Sequence, residues 1–234
     1  MTAQPTKQTS PASLLLVAGA AVAFSHLANQ WLNLEQPWGP VWKASGIVLL
    51  GLYALSQRAP LAGLGLLFSA AGDVLLELDG LFVFGMAAFG VAHVFYSICF
   101  ANLIRRDGPN IVGWPFAVCV LAISIVLAVW MAPGMGALLA PALIYPVVIS
   151  IMVILALLSK APLAARIGAI LFMLSDTLIA VGMFRDIDTL AGSVWITYAA
   201  AQILLAWGLT RPPEDSRETF SGSVEAVGRP GFPV

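Results

Sequence analysis

The sequence predicts an all-α integral membrane protein, a bundle of eight transmembrane helices with signs of a parallel four-plus-four internal repeat. Three observations predict it. Of 234 residues, 60% are hydrophobic and only 10% are charged, against roughly 25% charged in ordinary soluble domains. Apolar stretches of about 20 residues, the length that crosses the hydrocarbon core, recur along the chain. Basic residues gather on one side of the resulting bundle. A soluble core cannot hide so much apolar sequence, which excludes a soluble enzyme, and the composition equally excludes a disordered chain. The near balance of 11 Lys+Arg against 12 Asp+Glu excludes a strongly basic nucleic-acid binder.

The eight stretches are 12–30, 41–57, 61–78, 81–104, 111–131, 135–158, 163–183 and 189–209. Turn-forming residues punctuate them. Gln36-Pro37-Trp38-Gly39-Pro40 divides the first two, and Gln57-Arg58-Ala59-Pro60 the next pair. Leu78-Asp79-Gly80, Arg105-Arg106-Asp107-Gly108-Pro109, Ala132-Pro133-Gly134 and Ser159-Lys160-Ala161-Pro162 follow, and Phe184-Arg185-Asp186 starts the last break. Such short connections predict antiparallel neighbours along the chain. Residues 1–11 and the Pro-, Gly- and Ser-containing tail 211–234 read as mobile segments around a membrane domain at 12–210.

With the N-terminus on one side, that side holds Lys7, Arg58, Arg105, Arg106, Lys160, Arg166, Arg211, Arg217 and Arg229. The opposite side holds only Lys43 and Arg185. Positively charged loops stay in the cytoplasm, so both termini are expected there, and the brevity of the chain points to a bacterial inner membrane. Lys7 and Leu14-Leu15-Leu16-Val17, followed by small residues, also resemble a signal peptide. A single Lys and an apolar run that continues to Leu27 favour a retained first helix. Cys99 and Cys119 lie in apolar runs, without disulfide or metal spacing.

An ionisable group at mid-bilayer costs about 2.5–3.5 kcal/mol on insertion scales, so the polar residues inside the spans are few. Asp73 lies in the third span and Asp176 in the seventh. His93 and Tyr96 share a face of the fourth, and Tyr198 and Gln202 a face of the eighth. Lys43 opens the second span, while Glu77 and His26 read as interfacial residues that snorkel. Buried Tyr and Gln in membrane bundles commonly make helix–helix hydrogen bonds. The two aspartates are harder to dismiss, because no span offers a mid-membrane Lys or Arg to pair with them. By depth, Asp73, Asp176, Lys43 and Glu77 fall in the outer half, with His93 and Tyr198 near the middle. One cavity opening away from the cytoplasm is expected. Residues 67–76 and 171–179 also resemble one another, each after a Pro-Leu-Ala start, which gives the two aspartates equivalent places in a parallel repeat.

Four segments in order then resemble the YhhN family of membrane proteins. They are Gly65-Leu-Leu-Phe-Ser-Ala-Ala-Gly72-Asp73, the helix from Phe84 through His93 to Tyr96, Gly168 through Phe172 to Ser175-Asp176, and Tyr198-Ala-Ala-Ala-Gln202. Together they cover roughly 40–209. Lys43 is followed by Ala44, where the family usually has Pro. The resemblance implies an eight-span fold and lysoplasmalogenase activity. Such enzymes hydrolyse the vinyl ether of a lysophospholipid in the bilayer, giving a fatty aldehyde and a glycerophospho-ethanolamine or -choline.

The residues suit that chemistry without a metal or cofactor. Vinyl ether hydrolysis protonates the β-carbon, and water captures the resulting oxocarbenium ion. One protonated carboxyl and one carboxylate supply the acid and the base or stabiliser, as in glycoside hydrolysis. Asp73 and Asp176 are the expected pair. Tyr198, Gln202, His93 and Tyr96 are expected to position water or the glycerol hydroxyl, and Lys43 to hold the phosphate. There is no Gly-x-Ser-x-Gly elbow, two histidines are too few for a multi-His metal site, and no P-loop is present. A proton-coupled transporter of small molecules or lipids is the principal rival, since intramembrane acids and repeats also build transporters. A non-catalytic lipid-binding or scaffold protein is a third reading. Oligomeric state is not legible.

Overall fold

The computed structural model describes residues 10–32, 34–187 and 191–211. The mobile segments expected at 1–11 and 211–234 lie almost wholly outside them. Within the described residues every regular element is helical, and eight long helices carry the fold. They are α1 (Pro11–Ser25), α2 (Trp38–Ser56), α3 (Pro60–Glu77), α4 (Phe82–Asp107), α5 (Trp114–Met131), α6 (Leu139–Leu158), α7 (Leu163–Arg185) and α8 (Ala191–Leu209). Each coincides with one expected apolar stretch.

Local sequence explains the helix ends. Ser10 caps α1 by accepting from the Ser13 N–H at 3.2 Å, the role for which a short polar side chain is favoured. Pro11, Pro60 and Pro115 stand in the first turns of α1, α3 and α5, where a missing N–H costs nothing. Gly108, at φ +77°, stops α4 in a conformation that other residues rarely adopt. Beyond Ser25 the chain tightens into a 3-10 turn (His26–Ala28) and one further helical turn (Asn29–Leu32).

Seven of these helical segments are long and apolar enough to cross a membrane. Leu121, Ile125 and Val129 of α5 lie exposed along the outside, as do Ile144, Val147 and Ile151 of α6. Such a surface suits a hydrocarbon medium, and with these long apolar helices the chain is an integral membrane protein. Helix α2 is long but less apolar, because Gly39, Pro40, Lys43 and Gly46 stand in its first half. One face of it is buried against protein, while Val41, Leu52 and Leu55 stay exposed on the other. Its buried face includes Ala44, Ile47, Leu50 and Ala54. A Cβ on Gly46 would lie 2.5 Å from the Ala23 backbone nitrogen, so α1 and α2 meet at backbone distance.

Helices α1 to α4 pack in succession, as do α5 to α8. The junction departs from the expected rule of sequential neighbours. Beyond its packing on α3, helix α4 lies against α6 rather than α5, while α5 stands outside against α6 and α7. Helix α8 returns to touch α1, α2 and α3. That return brings the last span against the third, and the α4–α6 contact brings the fourth towards the seventh. The single large core runs between them, through Leu66, Tyr96, Phe100, Phe172 and Leu205.

Candidate active site

Helix α3 delivers Asp73 into the interior, where it is only 2% exposed. Its Oδ2 accepts a hydrogen bond from the Tyr198 hydroxyl of α8 at 2.6 Å. Helix α7 delivers Asp176, whose Oδ2 accepts from the Tyr145 hydroxyl of α6 at 2.5 Å. His93 of α4 joins that group. Its Nε2 stands 2.9 Å from the Tyr145 oxygen and 3.3 Å from Asp176 Oδ2. His93 is fully buried, and its Nδ1 has no hydrogen-bond partner among the described residues. Each carboxylate is thus held by one tyrosine from another helix, which satisfies a group that hydrocarbon would otherwise leave bare.

Both aspartates line one cavity of about 220 Å³, with Lys43, Tyr198, Trp195 and His26 among its walls. Aromatic side chains frame it. Phe172 packs edge-on against His93 at 4.5 Å and against Tyr198 at 5.4 Å between centroids. Phe89 packs edge-on against both Phe172 and Tyr198. Trp195 is fixed by donating its indole N–H to the Ala23 carbonyl at 2.8 Å. Of these rings, Phe89, Trp195 and Tyr198 line the open volume beside the carboxylates.

Lys43 reaches the same cavity from α2. Its Nζ stands 2.8 Å from Glu77 Oε1 and 5.5 Å from the Trp195 ring centroid. Of the two residues expected to snorkel at the interface, Glu77 keeps 33% of its side chain exposed and His26 lines the cavity. Glu77 is the counter-ion of Lys43, one helical turn beyond Asp73. His26 lies against Trp42 and Trp195 at the cavity wall. The chain tightens at His26 just as it leaves α1, which turns the imidazole towards α2 and α8.

Apolar crevices adjoin the cavity. One of about 70 Å³ shares Leu76, Phe89, Asp176 and Ile179 with it and extends along Met86, Ala180 and Met183 between α4 and α7. A second, of about 50 Å³, lies on the far side of Tyr145 and Asp176 against α5. Asp176 therefore stands where polar space meets hydrocarbon-lined space.

The sequence-derived residues separate into two groups. Asp73, Asp176, Lys43 and Tyr198 meet at the cavity, with His93 directly behind Asp176. Tyr96 and Gln202 do not line it. They pair with each other, Tyr96 donating to Gln202 Oε1 at 3.0 Å, and both are fully buried between α4 and α8. Sequence reasoning missed Trp195 and gave no site role to Tyr145. The only signal for Tyr145 was a hydroxyl beside Pro146 in a helix whose one other polar side chain is Ser150.

The model of the YhhN family matches residues 38–209. A Mycobacterium bovis protein named lysoplasmalogenase is 35% identical over 181 residues, covering 72% of this chain and 69% of that protein. A Homo sapiens protein named lysoplasmalogenase TMEM86B is 30% identical over 157 residues, 63% of this chain and 62% of that protein. A Bos taurus protein named lysoplasmalogenase TMEM86A is 29% identical over 184 residues, 72% of this chain and 74% of that protein. No solved structure matches the chain. The matched span contains both aspartates, Lys43, His93, Tyr145 and Tyr198.

Proposed function

The chain belongs to the YhhN family, and from that premise we propose that it is a membrane-embedded hydrolase of the vinyl ether of lysoplasmalogens. The observation that carries the reading is the meeting of Asp73 and Asp176, on helices a hundred residues apart, at one cavity that shares a wall with an apolar crevice. The vinyl ether stands between the carboxyls, and the alkenyl chain lies in the crevice between α4 and α7. Lys43 receives the phosphate when it exchanges Glu77 for the head group.

One aspartic acid protonates the β-carbon of the vinyl ether. The other, ionised, stabilises the oxocarbenium ion and takes a proton from the attacking water. The hemiacetal collapses to the fatty aldehyde and the glycerophospho-alcohol, so one water is consumed for each C–O bond broken. Tyr198 and Tyr145 hold the carboxylates in place, and His93 orients Tyr145 and Asp176 from behind. The same chemistry accounts for the names of the relatives.

In this reading all eight helices span the membrane, both termini lie in the cytoplasm, and the cavity opens to the outer side. The charge distribution supports that orientation. The succession α1 to α4 and its counterpart α5 to α8 support the four-plus-four repeat. Helix α6 runs unbroken from Leu139 to Leu158 through Pro146. That continuity favours an enzyme over a transporter, whose sites are typically built on interrupted helices. The deciding experiment is aldehyde release from a defined lysoplasmalogen by the purified protein in detergent. Release is the expected result. Transport of intact lipid by sealed proteoliposomes, without aldehyde, would replace this reading with the rival one.

A further inference from the structure

A second cavity, of about 320 Å³, opens at the other end of the bundle, where Arg58, Pro60, Asn102, Leu103, Arg106 and Leu209 form its walls. Helix α3 separates the two sites, beginning at this cavity with Pro60 and ending beside Lys43 with Glu77. The proposed hydrolysis makes no use of this space.

Its chemistry is that of an anion receptor with a hydrocarbon floor. Arg58 has no ion-pair partner among the described residues. It sits at φ +59°, a left-handed conformation that an arginine rarely adopts. Non-glycine residues held there concentrate at functional positions. Arg106 gives its Nε and Nη2 to Asp107 at 2.8 and 2.9 Å, which leaves its remaining nitrogen uncommitted. The N-terminal turn of α3 adds N–H groups without intrahelical acceptors at Leu61 and Ala62, both on the cavity wall. Around this end of the bundle, Arg58, Arg105, Arg106, Lys160, Arg166 and Arg211 face a single described carboxylate, Asp107. Leu61, Leu103 and Leu209 supply the apolar part of the wall, beside Cys99 and Asn102.

We propose that this cavity binds an anionic phospholipid of the surrounding leaflet, with its phosphate between Arg58 and Arg106 and a chain along Leu103 and Leu209. Basic pockets between transmembrane helices take anionic head groups in this way. A soluble phosphate would satisfy the arginines but leave the leucine wall unused, which is why the occupant is a lipid.

The test is thermal unfolding of the purified full chain in non-ionic detergent, followed by tryptophan fluorescence. The additions are phosphatidylglycerol, phosphatidylcholine or inorganic phosphate at equal concentration. Phosphatidylglycerol is expected to raise the Tm by about 3 °C or more, as a ligand of the folded state does, with the other two giving less than half of that. The double variant Arg58→Gln/Arg106→Gln loses the shift. Arg105→Gln, which removes a charge from the same end outside the cavity, keeps it. Leu103→Trp fills the apolar floor and loses the shift with both arginines intact, so the outcome does not depend on one variant folding. Equal shifts from phosphatidylglycerol in the double variant and in Arg105→Gln would overturn the site. Equal shifts from phosphate and phosphatidylglycerol would overturn the lipid as its occupant.

Discussion

The Tyr198 hydroxyl donates to Asp73 Oδ2 at 2.6 Å, across 125 residues of chain and between the third and eighth long helices. Tyr145 and Asp176 repeat this arrangement between the sixth and seventh. In both cases the tyrosine gives its one proton to the carboxylate, Tyr198 from a buried position and Tyr145 from a half-buried one, so each carboxyl is tethered. Pre-organised groups of this kind lower a barrier because they need no rearrangement as charge develops.

Replacing either carboxyl with its amide is therefore expected to abolish hydrolysis rather than weaken it. Asp73→Asn and Asp176→Asn keep the shape and can still accept from tyrosine, but can neither donate an acid proton nor stabilise a cation. General acid–base groups contribute about 10²–10⁴-fold, and a loss of at least about 100-fold in kcat is expected from each. The check is aldehyde release with thermal unfolding measured in parallel. Near-full activity in either folded variant would remove the two-acid mechanism.

Tyr96 and Gln202 are expected to matter for stability and little for turnover. Both are buried and bonded to each other away from the cavity. Tyr96→Phe leaves the Gln202 oxygen without its donor in a dry interior, a loss of about 1–3 kcal/mol. The expected result is a lower Tm with kcat changed by less than about threefold, since uniform loss of packing does not touch the transition state. A large fall in kcat at unchanged Tm would return Tyr96 and Gln202 to the site, as the sequence alone suggested.

The contrast between these pairs marks what the sequence could express. Asp73 and Asp176 were legible because an unpaired carboxylate in hydrocarbon is costly enough to demand a reason. The helices were legible for the same cause, as apolar runs of bilayer length. Tyr96 and Gln202 look the same in sequence as Tyr198, because a polar residue at mid-span reads alike whether it faces a cavity or a neighbouring helix. Tyr145 and Trp195 were hidden among many aromatic residues that only pack. Their roles follow from α6 lying against α4 and α8 returning to α3, and such contacts depend on summed side-chain fit rather than on any local pattern. Glu77 and Lys43 sit 34 residues apart, and only the antiparallel register of α2 and α3 makes them a pair.

Two glycines on α3 allow a paired test of the cavity wall. A Cβ on Gly72 would lie 2.6 Å from the Phe89 ring, and one on Gly65 would lie 2.7 Å from the Tyr96 ring. Overpacking of this kind costs about 1–3 kcal/mol, so Gly72→Ala and Gly65→Ala are both expected to lower the Tm. Phe89 lines the cavity and the crevice, whereas Tyr96 lines neither. Only Gly72→Ala is expected to raise KM for substrate as well. Equal effects on KM would show that Phe89 is not a wall of the substrate site.

The crevice itself makes the sharpest demand, because its direction is set by one face of α7. Asp176, Ile179, Ala180 and Met183 recur at helical spacing and all line it. An alkenyl chain whose first carbons stand at Asp176 must therefore run along this stripe towards Met183, between α7 and α4. Ala180 is the smallest residue on the path and borders the crevices on both sides of Asp176. Ala180→Phe fills that space while leaving every polar group of the site in place. A long-chain lysoplasmalogen is expected to lose about tenfold or more in kcat/KM, in line with about 1–3 kcal/mol for a pocket that loses apolar contact. A short-chain analogue that ends before Ala180 loses less, so the ratio between the two substrates changes rather than the rate alone. Measured across a series of chain lengths, the variant is expected to show a break where the chain first reaches the new ring. A uniform loss at every length would mean that the chain leaves the site by another route, and would move the lipid entrance away from the gap between α4 and α7.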